Sequence, residues 1–458
     1  MTKKVKNIHM IGIGGSGMNG IAEILLNLGF MVSGSDLNST PVTKHLESLG
    51  AHIFKGHSAE NVSSCDAVVY SSAVKEDNPE IRAARERKIP VIKRPEMLAE
   101  LMRMKYGICI AGTHGKTSTT SMVGQILTKG DIDPTIIVGG KVTDFGGGAK
   151  IGQSHYLVLE ADEYDRTFLK LTPVIAAVTN IDLEHLDCYE DIDDIKAAFV
   201  QFVNKVPFWG SVILCIDNPG VQSIIPEIER RIITYGVSVQ AEIRAVNIVY
   251  EGIKTTFDVV AEGKEMGSII LNVPGTHNVR NALAAITISM EMDIPFNIIS
   301  SSLAEYVSVE RRFQIIGERS GIMIIDDYAH HPTEIIASLE GIRAGFDKRI
   351  IAIFQPHLFS RTRDFYEDFG RSFMETDVLF VTDIFPSREK PIEGVTGNMV
   401  SDAAAAAGHR SAHFIPDRKD LIDAVADCAK SGDILVTFGA GDVNKIGYEL
   451  LDVFGKRS

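Results

Sequence analysis

Ile108-Cys-Ile-Ala-Gly-Thr-His-Gly-Lys-Thr-Ser-Thr-Thr120 passes from a short apolar run through a glycine turn into a helix-compatible stretch. Strand, glycine turn, helix start: this order aims backbone N–H groups and a helix N-terminus at an anion. Lys116 adds a compact charge suited to the β- and γ-phosphates of a nucleotide, and the Thr117 hydroxyl is placed to hold Mg2+. Only Thr113 and His114 separate the two glycines, where the commonest phosphate loop has four residues between them. A glycine turn beside a surface lysine is the plainer account, but it leaves the coincidence of strand, spacing and Lys-Thr pair unexplained. The stretch therefore predicts an ATP site lined by Gly112, Thr113, His114, Gly115, Lys116, Thr117 and Ser118.

A second glycine loop lies upstream. Gly12-Ile-Gly14-Gly15-Ser16-Gly17 follows a predicted strand over 7–13 and opens a predicted helix over 17–28, and Asp36 stands nineteen residues beyond Gly17. Strand, Gly-x-Gly-x-x-Gly, helix and a later carboxylate form the pattern of a dinucleotide site, with a pyrophosphate at the helix start and a ribose hydroxyl near the acid. NAD, FAD and a UDP-sugar each satisfy it, and so does tight strand–helix packing with no ligand. Two phosphate loops in adjacent sections imply two nucleotide-bearing ligands, one of them ATP, which argues against a simple dehydrogenase.

With 458 residues the chain is too long for one growing core, and several domains are expected. Its 45% hydrophobic and 23% charged residues are ordinary for a soluble globular protein. A net charge of −14 opposes nucleic acid or an anionic membrane as main partner, so anionic ligands need local cations. The five cysteines, at 65, 109, 188, 215 and 428, include no Cys-x-x-Cys pair and are expected as free, mostly buried thiols of a cytoplasmic protein. No window approaches a membrane span, and the early Lys3, Lys4 and Lys6 precede a glycine-broken stretch without a cleavage site.

Strand and helix signals alternate along most of the chain, which predicts three α/β domains over 1–104, 105–308 and 309–458. Strands are expected at 31–35, 52–54, 67–70 and 91–92, then at 156–160, 174–179 and 211–215. A β-rich section with turns at Glu251-Gly252 and Glu262-Gly263 covers 241–273, followed by a helix over 278–290. The last section predicts strands at 323–325, 350–354, 378–382 and 434–438.

Several further motifs stand in order: Glu160-Ala-Asp-Glu163, Asn180-Ile-Asp-Leu-Glu-His185, and His277-Asn278 with Asn281. Arg311-Arg312-Phe313, Asp326-Asp-Tyr-Ala-His-His-Pro332 and Gln355-Pro-His-Leu-Phe-Ser-Arg-Thr-Arg363 complete the series. With both glycine loops, the series resembles the Mur ligases, ATP-dependent enzymes of peptidoglycan precursor synthesis, over essentially the whole chain. The likeness is greatest to the branch that adds alanine to UDP-N-acetylmuramate. It implies a Rossmann-like N-terminal domain for the UDP-sugar, a central P-loop-type ATPase domain and a Rossmann-like C-terminal domain that admits the amino acid. It also implies UDP-N-acetylmuramate, L-alanine and ATP as substrates, two Mg2+ ions, and a monomer or homodimer.

Residue by residue, the resemblance assigns Gly12, Gly14, Gly15, Ser16, Gly17, Asp36 and Ser71 to the UDP-sugar. Thr117, Glu160 and His185 become metal ligands, the nitrogen of His185 on the strength of the motif alone. His277, Asn278 and Asn281 fall on the adenine side, where helix capping is the competing account. Arg312 and Asp327 are assigned to ATP after closure, Tyr328, His330 and Arg361 to the amino acid. Lys116, His185, His330 and Arg361 carry the chemistry, His330 as a candidate base beside His331. Glu163 and Asp165 read as loop charges or supporting groups, and Arg363 as structural. Leu358 stands where many alanine-adding relatives carry a basic residue, and Phe199 falls near the place where sister ligases use a carbamylated lysine. A ligase joining a preformed tripeptide to the same sugar acid, a nucleotide-sensing binding protein and an NAD-dependent oxidoreductase remain as other readings.

Overall fold

Three runs of alternating strand and helix build three sheets in the computed structural model, which describes residues 5–15, 17–71, 73–142, 147–184, 188–387 and 389–457. The first sheet holds β1 (Asn7–Ile11), β2 (Met31–Asp36), β3 (His52–Lys55), β4 (Ala67–Tyr70) and β5 (Val91–Lys93). All pairs are parallel in the order β3-β2-β1-β4-β5, so the strand order reverses beside β1, where ligands of open α/β sheets sit at the carboxyl edge. Register places Ile11, Tyr70 and Lys93 level with one another at that edge.

The second sheet holds β6 (Tyr106–Ala111), β7 (Thr135–Val142), β8 (Gly147–Lys150), β9 (Tyr156–Glu160), β10 (Ile175–Val178), β11 (Ser211–Cys215) and β12 (Ile232–Gly236). It continues through β13 (Ile243–Glu251), β14 (Lys254–Ala261) and β15 (Lys264–Leu271), in the order β15-β14-β13-β12-β11-β10-β6-β9-β7-β8. β6 lies between β10 and β9, parallel to both, and its last five residues are fully enclosed. A strand covered on both faces needs an unbroken apolar run, which is what Gly107-Ile-Cys-Ile-Ala111 supplies. In β14 the burial alternates instead, as expected for strands with one wet face.

The third sheet has the order β16-β17-β21-β18-β19-β20, from β16 (Gln314–Arg319), β17 (Ile322–Asp327), β18 (Ile350–Phe354), β19 (Val378–Val381), β20 (Ala412–Phe414) and β21 (Ile434–Phe438). Only β16 is antiparallel there. By contacts the chain divides into one unit of Met1–Ala245, Val259–Gly267 and Arg280–Leu303, and another of Val246–Asp258, Ser268–Val279 and Ala304–Ser458.

The long apolar strands fall where the pattern places them, and the strands absent from that reading (β7, β8, β12, β16 and β20) are mixed or short segments. The expectation of mostly buried thiols is corrected: Cys109 and Cys215 are buried, while Cys65, Cys188 and Cys428 are half-buried, and all five are thiols outside any disulfide. Among the described residues no helix is long and apolar enough to cross a membrane.

Under the first sheet lies a polar cluster that the sequence does not announce. Glu80, on the helix Pro79–Glu86, is fully buried and takes His9 Nε2 at 3.3 Å, Asn61 Nδ2 at 2.6 Å, the Ser35 hydroxyl at 2.7 Å and His57 Nδ1 at 2.8 Å. Burial pushes this carboxyl up, but hydrogen bonds from His9, Ser35 and Asn61 outweigh it and hold Glu80 below its ordinary 4.5. A carboxyl that titrates lower in the folded chain stabilises fully above the unfolded value, and that contribution is lost as pH falls through the folded one. Glu80→Gln is therefore expected to flatten the acid limb of thermal stability below about pH 4.5 and to cost about 1–3 kcal/mol at neutral pH. Equal acid limbs for the two proteins, followed by circular dichroism, contradict this assignment.

Candidate active site

The loop after β6 is held by the strand beside it. Gly112 has φ +131°, and a Cβ there would stand 2.1 Å from the Thr179 hydroxyl, so only glycine fits. Gly115, φ +83°, caps the helix Lys116–Lys129, and a Cβ on it would meet Asn281 Oδ1 at 2.4 Å. Thr179 donates its hydroxyl to the His114 carbonyl at 2.6 Å. Asn180 accepts from His114 N–H at 2.7 Å, donates back to the His114 carbonyl at 3.0 Å, and takes Thr113 N–H on its own carbonyl. The Thr113 hydroxyl accepts from Asp182 N–H at 2.9 Å. The expectation that the loop N–H groups wrap a phosphate chain is thereby corrected for Thr113 and His114, whose donors are committed to Asn180. Asn180 is a builder of the loop.

Lys116 lies inside this frame. Its ammonium donates to the Gly112 carbonyl at 2.7 Å, the Thr113 carbonyl at 3.1 Å and both oxygens of Glu163 at 2.9 and 3.1 Å. Glu163 is 2% exposed, and Tyr189 donates its hydroxyl to the Glu163 carbonyl at 2.6 Å. Burial would depress the lysine, but the carboxylates of Glu163 and Asp162, with Glu184, overcome it and push Lys116 up to about 12. Of the two readings of Glu163, loop charge or supporting group, the structure favours the second: it is the counter-ion of the phosphate-loop lysine. Its only signal in the sequence is its place in Glu160-Ala-Asp-Glu163, at the carboxyl edge of β9. Asp165 and Arg166 follow with positive φ, and Arg166 pairs with Asp194.

Thr117, second residue of the helix, and Glu160, last residue of β9 and level with Ile110 of β6, lie at this same edge. Both offer oxygen, the donor that a hard cation takes, and Mg2+ needs few protein ligands because it keeps waters and phosphate oxygens. Ser118 is buried at the start of the helix. His185 lies outside the described residues, as does Ser16 of the upstream loop. Asn281 is buried against Gly115, whereas Asn278, also buried, donates its amide to the Pro274 carbonyl at 2.8 Å, which ties it to the turn before its helix. The His277 ring fills the space beside Gly275.

In the upstream loop, Asp36 accepts from Gly14 N–H at 3.0 Å and Asn38 N–H at 3.3 Å, so this carboxylate shapes the loop itself. Ser71 follows β4 and lies against Gly12, where a Cβ would be 3.4 Å from its own.

The other unit carries its own cluster at the carboxyl edge of β17 and β18. Asp327 is buried, accepting from Ala329 N–H at 2.8 Å, Phe313 N–H at 3.2 Å and the Ser338 hydroxyl at 2.8 Å. Burial raises it to about 6 against the pull of Arg312. Arg312 pairs with Glu334 at 3.1 Å and faces the Tyr328 ring, 5.4 Å from its centroid. Arg311 is structural: it pairs with Asp326 at 2.9 Å and donates to the Gly439 and Gly441 carbonyls, which fixes the turn Thr437–Asp442.

His330 meets the Tyr328 carbonyl through Nδ1 at 3.0 Å, Glu334 at 3.3 Å, and the rings of Tyr328 and His357 edge-on. Burial pushes it down to about 3, with Arg361 and Arg312 adding to the effect against Glu334. His357 falls to about 4 through burial and the charge of Arg361. Tyr328, His330, His357 and Arg361 thus form one group, with Glu334 ordering it from the helix Pro332–Gly345. Sequence reading missed Glu334 and gave His357 no role. Leu358 begins the helix Phe359–Ser372 with φ +71°, a conformation that strains a branched L-residue, and its N–H donates to the Phe385 carbonyl. Arg363 pairs with Asp364 at the surface.

Three family models match the chain in sequence order: "Mur ligase family, catalytic domain" over 7–106, "Mur ligase middle domain" over 110–289 and "Mur ligase, glutamate ligase domain" over 311–441. The UDP-N-acetylmuramate–L-alanine ligase of Geotalea uraniireducens is 52% identical over 452 residues, 99% of each chain. That of Salinibacter ruber is 52% identical over 442 residues, 96% of this chain and 93% of its own. Among solved structures, the UDP-N-acetylmuramate-alanine ligase of Thermotoga maritima superposes with TM-score 0.80 at 28% identity, covering 99% of this chain and all of that one. A murein peptide ligase from Psychrobacter arcticus gives TM-score 0.68 at 26% identity, over 98% and 99%.

The ion pair sets a stability test. Lys116→Ala removes the cation that answers the buried Glu163 carboxylate and is expected to cost about 3–5 kcal/mol in urea unfolding. Lys116→Ala combined with Glu163→Gln should recover much of that loss; additive losses would show that the two side chains are not coupled.

Proposed function

The chain belongs to the Mur ligase family, and we propose that it joins L-alanine to the lactyl carboxylate of UDP-N-acetylmuramate with cleavage of ATP to ADP and phosphate. The observation that carries this reading is the framed loop after β6, with a half-buried lysine at its centre, in a chain that matches alanine-adding ligases along nearly its full length. We read residues 1–104 as the UDP-sugar domain, 105–308 as the ATP domain and 309–458 as the amino-acid domain. Cytoplasmic placement belongs to the same reading.

The chemical problem is to bring a carboxylate to an anionic triphosphate, so neutralisation and alignment dominate. A lactyl carboxylate oxygen attacks the γ-phosphorus, the bond to the bridging oxygen of ADP breaks, and an acyl phosphate results. The amine of alanine then attacks the acyl carbon, loses a proton, and the tetrahedral intermediate expels phosphate. Lys116, kept charged by its carboxylate neighbours, neutralises the β- and γ-phosphates. Thr117 and Glu160, with His185 for a second ion, would hold Mg2+, which would neutralise further charge on the triphosphate when bound. Arg312 and Asp327 serve the nucleotide in this reading.

Arg361 offers a planar fork to the alanine carboxylate. His330, held through Nδ1 by the Tyr328 carbonyl, presents Nε2 as proton acceptor; with a value near 3 it is neutral at physiological pH and a weak base. Tyr328 gives the pocket a wall.

Phosphate release should require UDP-N-acetylmuramate and L-alanine together with ATP, and a panel of other amino acids and a tripeptide should give little. A lower KM for the tripeptide than for alanine would overturn the substrate assignment. Lys116→Ala should abolish turnover while UDP-sugar binding persists. Arg361→Ala should raise the alanine KM by about ten- to a hundredfold with ATP KM unchanged. Since His330 stays neutral well below pH 5, the pH profile of kcat/KM from pH 5 to 8 should show no break that His330→Gln removes; such a break would contradict the low value.

A further inference from the structure

We propose that Arg94 is a diphosphate-binding residue of the UDP-sugar site, an inference that rests on the reading of the first glycine loop given above. Three adjacent parallel strands end level with one another, at Ile11, Tyr70 and Lys93. The next residues, Gly12, Ser71 and Arg94, therefore leave the sheet side by side at the edge where its strand order reverses. Arg94 opens the helix Arg94–Met102, which fixes its backbone, and its guanidinium lies over the glycine loop. A Cβ built on Gly17 would stand 2.6 Å from Nη1 and 3.2 Å from Cζ, so the space that any side chain at 17 would fill holds a cation instead.

Two observations say what that cation is for. Most of the loop's backbone donors are turned inward. Gly12 and Ile13 N–H donate to the Ser35 carbonyl, Gly14 N–H to Asp36, Gly15 N–H to the Gly12 carbonyl, and Met18 and Asn19 N–H to the Gly15 carbonyl. A dianionic diphosphate needs more positive charge than so committed a loop supplies. The acid nearest Arg94 in sequence is also engaged elsewhere. Glu96 takes Lys170 Nζ at 2.7 Å and Lys93 N–H at 3.3 Å, and among the described residues no carboxylate pairs with Arg94. In a chain of net charge −14, a half-buried guanidinium that faces a phosphate-type loop and has no acid partner is suited to an anion. Its planar fork matches two oxygens of adjacent phosphoryl groups.

The experiment compares binding of UDP and of uridine to the full-length protein, Arg94→Ala and Arg94→Lys, by calorimetric competition, with thermal unfolding as the check on folding. The wild type is expected to prefer UDP, and Arg94→Ala to cut the ratio of the uridine Kd to the UDP Kd by about ten- to a hundredfold. Uridine and ATP affinities should stay unchanged, and Arg94→Lys should restore part of the ratio by keeping the charge without the fork. In turnover, Arg94→Ala should raise the UDP-N-acetylmuramate KM while kcat at saturation is largely kept, the signature of a contact made equally before and during reaction. An unchanged ratio overturns the proposal, and so does an equal weakening of UDP and uridine, which marks a structural role. Failure of the wild type to bind UDP would instead overturn the reading of the site itself.

Discussion

An ammonium largely withdrawn from water is tolerated only where its charge and its donors are answered. Lys116 meets that condition through two loop carbonyls and the two oxygens of Glu163, and much of the central site follows from it. The carbonyls of Gly112 and Thr113 can turn inward only because Gly112 adopts a left-handed backbone against Thr179. Thr179 and Asn180 reach the loop because β10 lies beside β6 in register. Glu163 reaches it because β9 flanks the other side, and Tyr189 pins its backbone. Three neighbouring strands thus hold one charge in place from both sides.

The two glycine loops share a property that their sequences hide. In each, several N–H groups that would be credited to an anion bind the protein instead: Thr113 and His114 on Asn180, Gly14 on Asp36, Gly12 and Ile13 on Ser35. Inward bonding makes a loop rigid, and rigidity preorganises whatever charge stands beside it. The positive charge then comes from side chains, Lys116 in one case and Arg94 in the other. The C-terminal unit follows another rule: Arg311 and Arg312 are paired with Asp326 and Glu334, and burial plus the arginine charges keep His330 and His357 neutral.

Strands such as Ala67–Tyr70, Tyr156–Glu160, Ser211–Cys215, Ile350–Phe354 and Ile434–Phe438 were legible to the residue, because a strand covered on both faces reads as a nearly continuous apolar run. The hairpin turns at Gly252 and Gly263 were legible because each has positive φ. Edge and mixed strands were not, since half-wet segments carry a weaker pattern. Within the candidate site, Lys116 and Thr117 were singled out by strand–glycine–helix spacing, Glu160 and Arg361 by the family resemblance. Glu334 and His357 were passed over and Glu163 was left between loop charge and supporting group, because an acid or histidine after a strand looks the same in sequence whether it is solvated or pairs with a residue dozens of positions away.

The sequence by itself determined the family, the order of the sheets along the chain and the local turns, since strand–glycine–helix geometry is a matter of neighbouring residues. Only the tertiary structure decided which charge answers which. Coulombic partners are chosen by strand order and register, and these bring Glu163 to Lys116, Glu80 to two histidines, and the guanidinium of Arg94 over Gly17. Distance through space, which sets both the attraction and the cost of burial, is not written in distance along the chain.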